Sequence, residues 1–92
     1  MADRAVNWGD SVSAVCTVVN GDIPLEITWA LNGMPIEENH RISVTTTKRN
    51  SLLAIDSASP SHAGTYTCVA SNAAGATTYS AELTVNGIYD NR

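Results

Sequence analysis

At 92 residues the chain makes one domain at most, since domains commonly run to about 100–150 residues. Hydrophobic residues at 43% and charged residues at 15% give a globular rather than a disordered balance, and no apolar run approaches the roughly 18–20 residues of a membrane span. Nine acidic against five basic side chains, a net charge of −4, argue against a nucleic-acid binder, which needs a clustered basic face.

No signal-peptide pattern opens the chain. Met1 runs at once into polar sequence, which reads as a module excised from something larger. The segments beyond it are short alternating runs separated by turn residues, the pattern of an all-β sandwich or barrel. Val12, Ala14, Cys16 and Val18 share one parity and Ser11, Ser13 and Thr17 the other, which predicts a half-buried strand. Asn20-Gly21-Asp22 and Pro24 break it. A second strand comes next, with Leu25, Ile27 and Trp29 on one face and Glu26 and Thr28 on the other. Asn32-Gly33 is a two-residue hairpin signal because both positions tolerate positive φ. Met34-Pro35-Ile36 can then form only a short edge strand, as proline donates no ladder hydrogen bond.

After a polar loop from Glu37 to His40, Arg41 to Thr47 alternates through Ile42 and Val44. Lys48-Arg49-Asn50 turns the chain, and Ser51 to Ile55 returns with Leu53 and Ile55 inward. Ser57 to Gly64 is a turn-rich corner. Thr65 to Ser71 alternates through Tyr66, Cys68 and Ala70, and Ala73-Ala74-Gly75 makes the next hairpin. The last strand runs to about Val85 with Ala81, Leu83 and Val85 inward. Helical periodicity is nowhere sustained, so helix content should be close to nil. The domain is expected over residues 3–86, with 87–92 a flexible linker stub or tail.

Two cysteines, Cys16 and Cys68, stand far apart. There is no C-x-x-C, and the two histidines lie too far from both to complete a tetrahedral site, so a long-range disulfide is the better reading than a metal site or a redox pair. Such a bridge implies an oxidising compartment outside the cytosol.

Cys16, Trp29 and Cys68, together with Gly64-x-Tyr66-x-Cys68, form a specific constellation. In a two-sheet sandwich it places a disulfide between the sheets, an indole packed on it, and a tyrosine hydroxyl bonding back to the corner before its strand. On these residues the chain resembles an immunoglobulin domain from about Val6 to Val85, with Leu53 among the expected core positions. The lack of inserted strands after Ile36, with Ser71 to Gly75 at the last hairpin, resembles the intermediate set (I-set) found in adhesion molecules. Asn20 to Gly33 and Tyr79 to Gly87 are similar to the alternatively spliced seventh immunoglobulin domain of the arthropod Dscam family, or the equivalent first domain of chelicerate shortened Dscams. Two departures stand out. His62 occupies the place of the usual aspartate, facing Arg41, so that ion pair cannot form, and the usual first strand reads as missing before Ala5.

The resemblance implies an extracellular module on a single-pass membrane protein. It would recognise an identical copy antiparallel through the face of the first, second, fourth and fifth strands, A′BED in the family's lettering. Parity identifies the side chains of that face. Ser13, Val15, Thr17 and Val19 point outward opposite Cys16; Leu52, Ala54 and Asp56 point outward opposite Leu53 and Ile55; Ser43 and Thr45 flank them. The patch is nearly uncharged, as a two-fold, self-complementary contact requires if like charges are not to meet across the axis. The opposite face, with Glu26, Thr28, Thr65, Thr67, Val69 and Glu82, is also nearly neutral, and scattered apolar side chains contribute no binding by themselves.

Lys48 and Arg49 read as a charged hairpin tip at the rim, able to set association rate and salt dependence. Trp8, in the turn before Gly9-Asp10, is either an exposed anchor or a cap on the core. No G-x-S-x-G elbow supports a Ser–His–Asp reading of the serines with His40 or His62, so no enzyme is expected. Asp10, Asp22, Glu37 and Glu38 do not form a calcium loop, and no metal or cofactor is expected. No Asn-x-Ser/Thr sequon occurs, which leaves both faces open to protein contact. Two other readings remain: a structural spacer like the modules of titin, with reduced cysteines in the cytosol, and a receptor module for a different protein.

Overall fold

The computed structural model describes residues 3–18, 26–36 and 41–89, for 88 and 89 the backbone alone. The expectations for Val19, the Asn20–Pro24 break, Leu25, and Glu37 to His40 lie outside these residues.

Among the described residues eight strands run in chain order: β1 Arg4–Trp8, β2 Val12–Thr17, β3 Glu26–Leu31, β4 Met34–Pro35, β5 Ile42–Thr46, β6 Asn50–Ile55, β7 Gly64–Asn72 and β8 Gly75–Tyr89. A 3₁₀ turn, Pro60–His62, sits before β7. The strands form a five-stranded sheet in the order β1-β8-β7-β3-β4 and a three-stranded sheet in the order β2-β6-β5. Cys16, Ile42, Leu53 and Ile55 from one sheet and Ile27, Trp29, Tyr66, Cys68 and Leu83 from the other are buried between them. The strand alternation therefore has its expected physical cause: each sheet has one face in the core.

Three local features hold this arrangement. The Cys16–Cys68 disulfide joins β2 to β7 with Cα atoms 6.5 Å apart. Trp29 stands directly across from Cys68 in the β3–β7 ladder, and its indole N–H donates to Ser51 Oγ at 2.7 Å across the sandwich. Asn32 and Gly33 both adopt positive φ, 52° and 82°, which matches the hairpin to the twist of β3 and β4. Asn32 also accepts the Thr65 N–H at 2.9 Å, and its side chain fills the space that a Cβ on Gly64 would need. Gly64, at φ 144°, is therefore required by the close approach as well as by the backbone.

Tyr66 closes the corner. Its hydroxyl donates to the His62 carbonyl at 2.7 Å, and burial pushes its pKa up from 10.0 to about 12. The folded state thus holds this proton more tightly than the unfolded chain. The stabilisation is complete below pH 10, and it is lost as the pH rises through about 12. The expected result is a fall in unfolding free energy of about 2 kcal/mol across that window, read by urea denaturation at stepped pH. Tyr66→Phe should be less stable at neutral pH and should lack that alkaline slope.

The structure differs from the sequence reading at several places. The first strand does not join the sheet of β2. It runs parallel to β8, from Arg4 opposite Leu83 to Trp8 opposite Tyr89. Val6 is buried there, Glu82 N–H donates to Asp3 Oδ1, and the Asn86 amide donates to Asn7 at 2.8 Å. The Arg4 guanidinium reaches back to β2, donating to the Ser13 carbonyl at 3.0 Å. The expected four-stranded face is therefore a three-stranded one. β8 runs past Val85 to Tyr89, which pairs with Trp8 beyond a register shift, so the last strand extends further than its expected end. Finally, His62, expected in the turn-rich corner, is buried there at the end of the 3₁₀ turn. Its Nδ1 accepts the Ser59 N–H at 3.0 Å, while Arg41 lies exposed at φ 61°.

Candidate recognition surface

The outer face of the β2-β6-β5 sheet is an array whose positions are set by strand register. Val15 lies opposite Leu52 in the β2–β6 ladder, and Leu52 lies opposite Thr45 in the β5–β6 ladder, giving a central row of Val15, Leu52 and Thr45. Ser13, Ala54 and Ser43 form the row on one side. On the other side Thr17 lies opposite Asn50, and the Thr47 N–H donates to the Asn50 carbonyl at 2.7 Å. Successive rows on one face are about 6.8 Å apart. All nine side chains are exposed except half-buried Ala54, and none carries a charge. Val15 at 52% and Leu52 at 41% exposure are large aliphatic groups left in water at the centre.

Charge lies at the two ends and, along the β2 edge, in the Arg4 guanidinium on the Ser13 carbonyl. Lys48 and Arg49 form the turn from β5 to β6, with the Arg49 guanidinium donating to the Val18 carbonyl. At the far end Asp56 and Arg41 border one shallow hollow. The structure thus brings together Ser13, Val15, Thr17, Ser43, Thr45, Leu52 and Ala54, with Asp56, Lys48 and Arg49 at the margins. Thr47, at the end of the predicted strand, and Asn50 belong to the same face, but Asn50 reads as a turn residue in the sequence; extending the alternation two residues upstream of Leu52 would have found it. Ser51 was also missed. It is fully buried, taking the Trp29 N–H and sharing a 2.9 Å hydrogen bond with Thr46 Oγ1.

The opposite face is knitted to itself, with Thr67 and Ser80 hydroxyls 3.1 Å apart across β7 and β8. Trp8 is half-buried at the end of β1. Ser59, Ser61 and His62 cluster, but His62 Nδ1 is already committed to a main-chain N–H, so the group caps the 3₁₀ turn rather than activating a hydroxyl. Among the described residues no three His, Cys, Asp or Glu side chains gather to hold a metal ion.

A sandwich of this topology, with an inter-sheet disulfide, a tryptophan across from it and a tyrosine corner, defines an immunoglobulin domain. The family model of the immunoglobulin I-set domain matches residues 1–85, and the chain belongs to that family. Within it, the chain is 50% identical over 86 residues to the cell adhesion molecule Dscam1 of Drosophila melanogaster, covering 91% of this chain and 4% of the relative. The crystal structure of the Dscam1 Ig7 domain, isoform 9, superposes with a TM-score of 0.85 at 47% identity, over 88% of this chain and 86% of that one. The titin I-band fragment I67–I69 also superposes at 0.85, with 32% identity over 91% of this chain and 29% of the fragment. The resemblance to a Dscam seventh domain therefore holds.

Proposed function

We propose that this domain is an extracellular, cell-surface adhesion module that binds an identical copy of itself, antiparallel, through the outer face of β2, β6 and β5. The observation that carries the reading is the uncharged array centred on exposed Val15 and Leu52, on a chain half identical to a cell adhesion molecule. Two sheets packed face to face around a two-fold axis can run their strands parallel or antiparallel. A parallel arrangement sets Lys48 and Arg49 of one copy against the same two cations of the other. The antiparallel one sets them against the end holding Asp56 and Arg41, and puts Leu52 against Leu52. Like-charge juxtaposition across a contact is the more costly error.

Three strands about 4.8 Å apart and about 20 Å long form a small face, at the low end of specific contacts. Each pair of domains is therefore weak alone, and copies arrayed on opposed membranes gain by multivalency. Analytical ultracentrifugation at tens of micromolar and above tests the reading. The parent should dimerise reversibly, and Val15→Asp or Leu52→Asp should weaken the dimer at least about 100-fold by burying an uncompensated charge at the axis. A strict monomer, or a dimer indifferent to both substitutions, overturns the proposal.

A spacer role is a second reading, favoured by the titin superposition. The oxidised Cys16–Cys68 pair counts against it, because cytosolic proteins keep such thiols reduced.

A further inference from the structure

The antiparallel pairing proposed above has a consequence for self-discrimination, which rests on that reading. β6 is the middle strand of its sheet, and Leu52 is its central outward residue. A two-fold axis through the Val15, Leu52 and Thr45 row exchanges the flanking rows. Asn50 and Ala54 lie equally far from Leu52 along β6, so the axis brings Asn50 of one copy onto Ala54 of the other, twice per dimer. Lys48 and Asp56 are exchanged by the same operation.

The two rows differ in relief. Ala54 is small and half-buried, a recess between Ser13 and Ser43, while Asn50 projects from an exposed position. Asn50 holds the Thr47 backbone and hydroxyl through its main-chain carbonyl, which leaves its side-chain amide available to the Ser13 and Ser43 hydroxyls of the other copy. Because sheets twist, rows diverge toward the outer strands, and the register match is tightest along β6 next to the axis. We infer that Asn50 and Ala54 are the specificity-determining pair of this surface, a knob and a recess that fit only when the facing copy carries both.

Exchanging the two residues should therefore create a new self-specificity. The N50A/A54N variant again places an asparagine against an alanine in its own dimer. Mixed with the parent, it places asparagine against asparagine at one end and alanine against alanine at the other. Specificity then arises from a clash and a void as much as from contact.

The test is sedimentation of fluorophore-labelled parent, N50A, A54N and N50A/A54N, alone and in pairwise mixtures, with Leu52→Asp as control and thermal melts to establish folding. Each single variant should self-associate on the order of tenfold more weakly than the parent. The double variant should recover to within about threefold, yet bind labelled parent at least about tenfold more weakly than it binds itself. A parent that dimerises and is broken by Leu52→Asp, but pairs equally well with the double variant, overturns this inference and leaves the surface standing. A parent that never dimerises overturns both. Should A54N fail to fold, loss of self-association by N50A alone still supports the knob, and an unchanged N50A dimer overturns it.

Discussion

Replacing Cys16 and Cys68 together by alanine should lower the unfolding free energy by about 4 kcal/mol, the value expected for closing a loop of this length in the chain-entropy account. Small domains hold only about 5–15 kcal/mol in total, so the loss is a large fraction of the whole. At about 4–8 °C per kcal/mol for a domain of this size, the melting temperature should fall by roughly 20 °C. The effect is large because of where the bridge sits. Cys68 is fully buried and Cys16 is 3% exposed, and they come from different sheets that share no ladder hydrogen bonds. Urea denaturation of the oxidised domain and of the double variant measures the difference. The native bridge should also resist reductant until denaturant opens the sandwich. A variant of undiminished stability would show that packing alone holds the layers, as the spacer reading requires.

Most of this architecture can be read from parity. Alternation around Cys16, Trp29, Leu53 and Tyr66 gives the correct inward set because each of those strands has one wet and one dry face. Asn32-Gly33 reads correctly because its chemistry is local: two positive φ values that few other pairs tolerate. The failures are non-local. Nothing in Arg4 to Trp8 says which sheet it will join, since an edge strand with one buried residue, Val6, can extend either. Its choice of β8 also decides how far β8 runs, so one topological ambiguity produced both the missing fourth strand of the face and the misplaced end of the last strand.

His62 and Ser51 were missed for a different reason. Polar residues read as surface, and only the tertiary structure supplies the partners, Ser59 N–H and Trp29 Nε1–H, that let them be buried. On the recognition surface the central pair, Val15 and Leu52, is visible in the alternation. Asn50 is not, because a turn signal and a strand start overlap at that position and the register is what assigns it to the face.

The buried contact between Trp29 and Ser51 makes the second large prediction, and it ties the core to the surface. Trp29→Ala should cost about 4 kcal/mol, combining lost transfer energy with the cavity left beside the disulfide. Ser51→Ala removes only an oxygen, yet should cost about 2 kcal/mol, because the indole N–H then lies buried without its acceptor and Thr46 loses a partner as well. In a Trp29→Phe background no N–H remains to be stranded, so the same Ser51→Ala change should cost less than about 1 kcal/mol. Chemical denaturation of the four proteins closes the cycle, and the expected coupling is on the order of 1–2 kcal/mol. Ser51 is also the neighbour of Leu52 on β6, and its bond to Trp29 crosses from one sheet to the other. It therefore anchors the central strand of the recognition face to the opposite layer. Ser51→Ala should weaken self-association as well as stability, though its side chain lies wholly beneath the contact. A zero coupling energy would mean that indole and serine are neighbours without being partners, and that the face is held flat by its ladders alone.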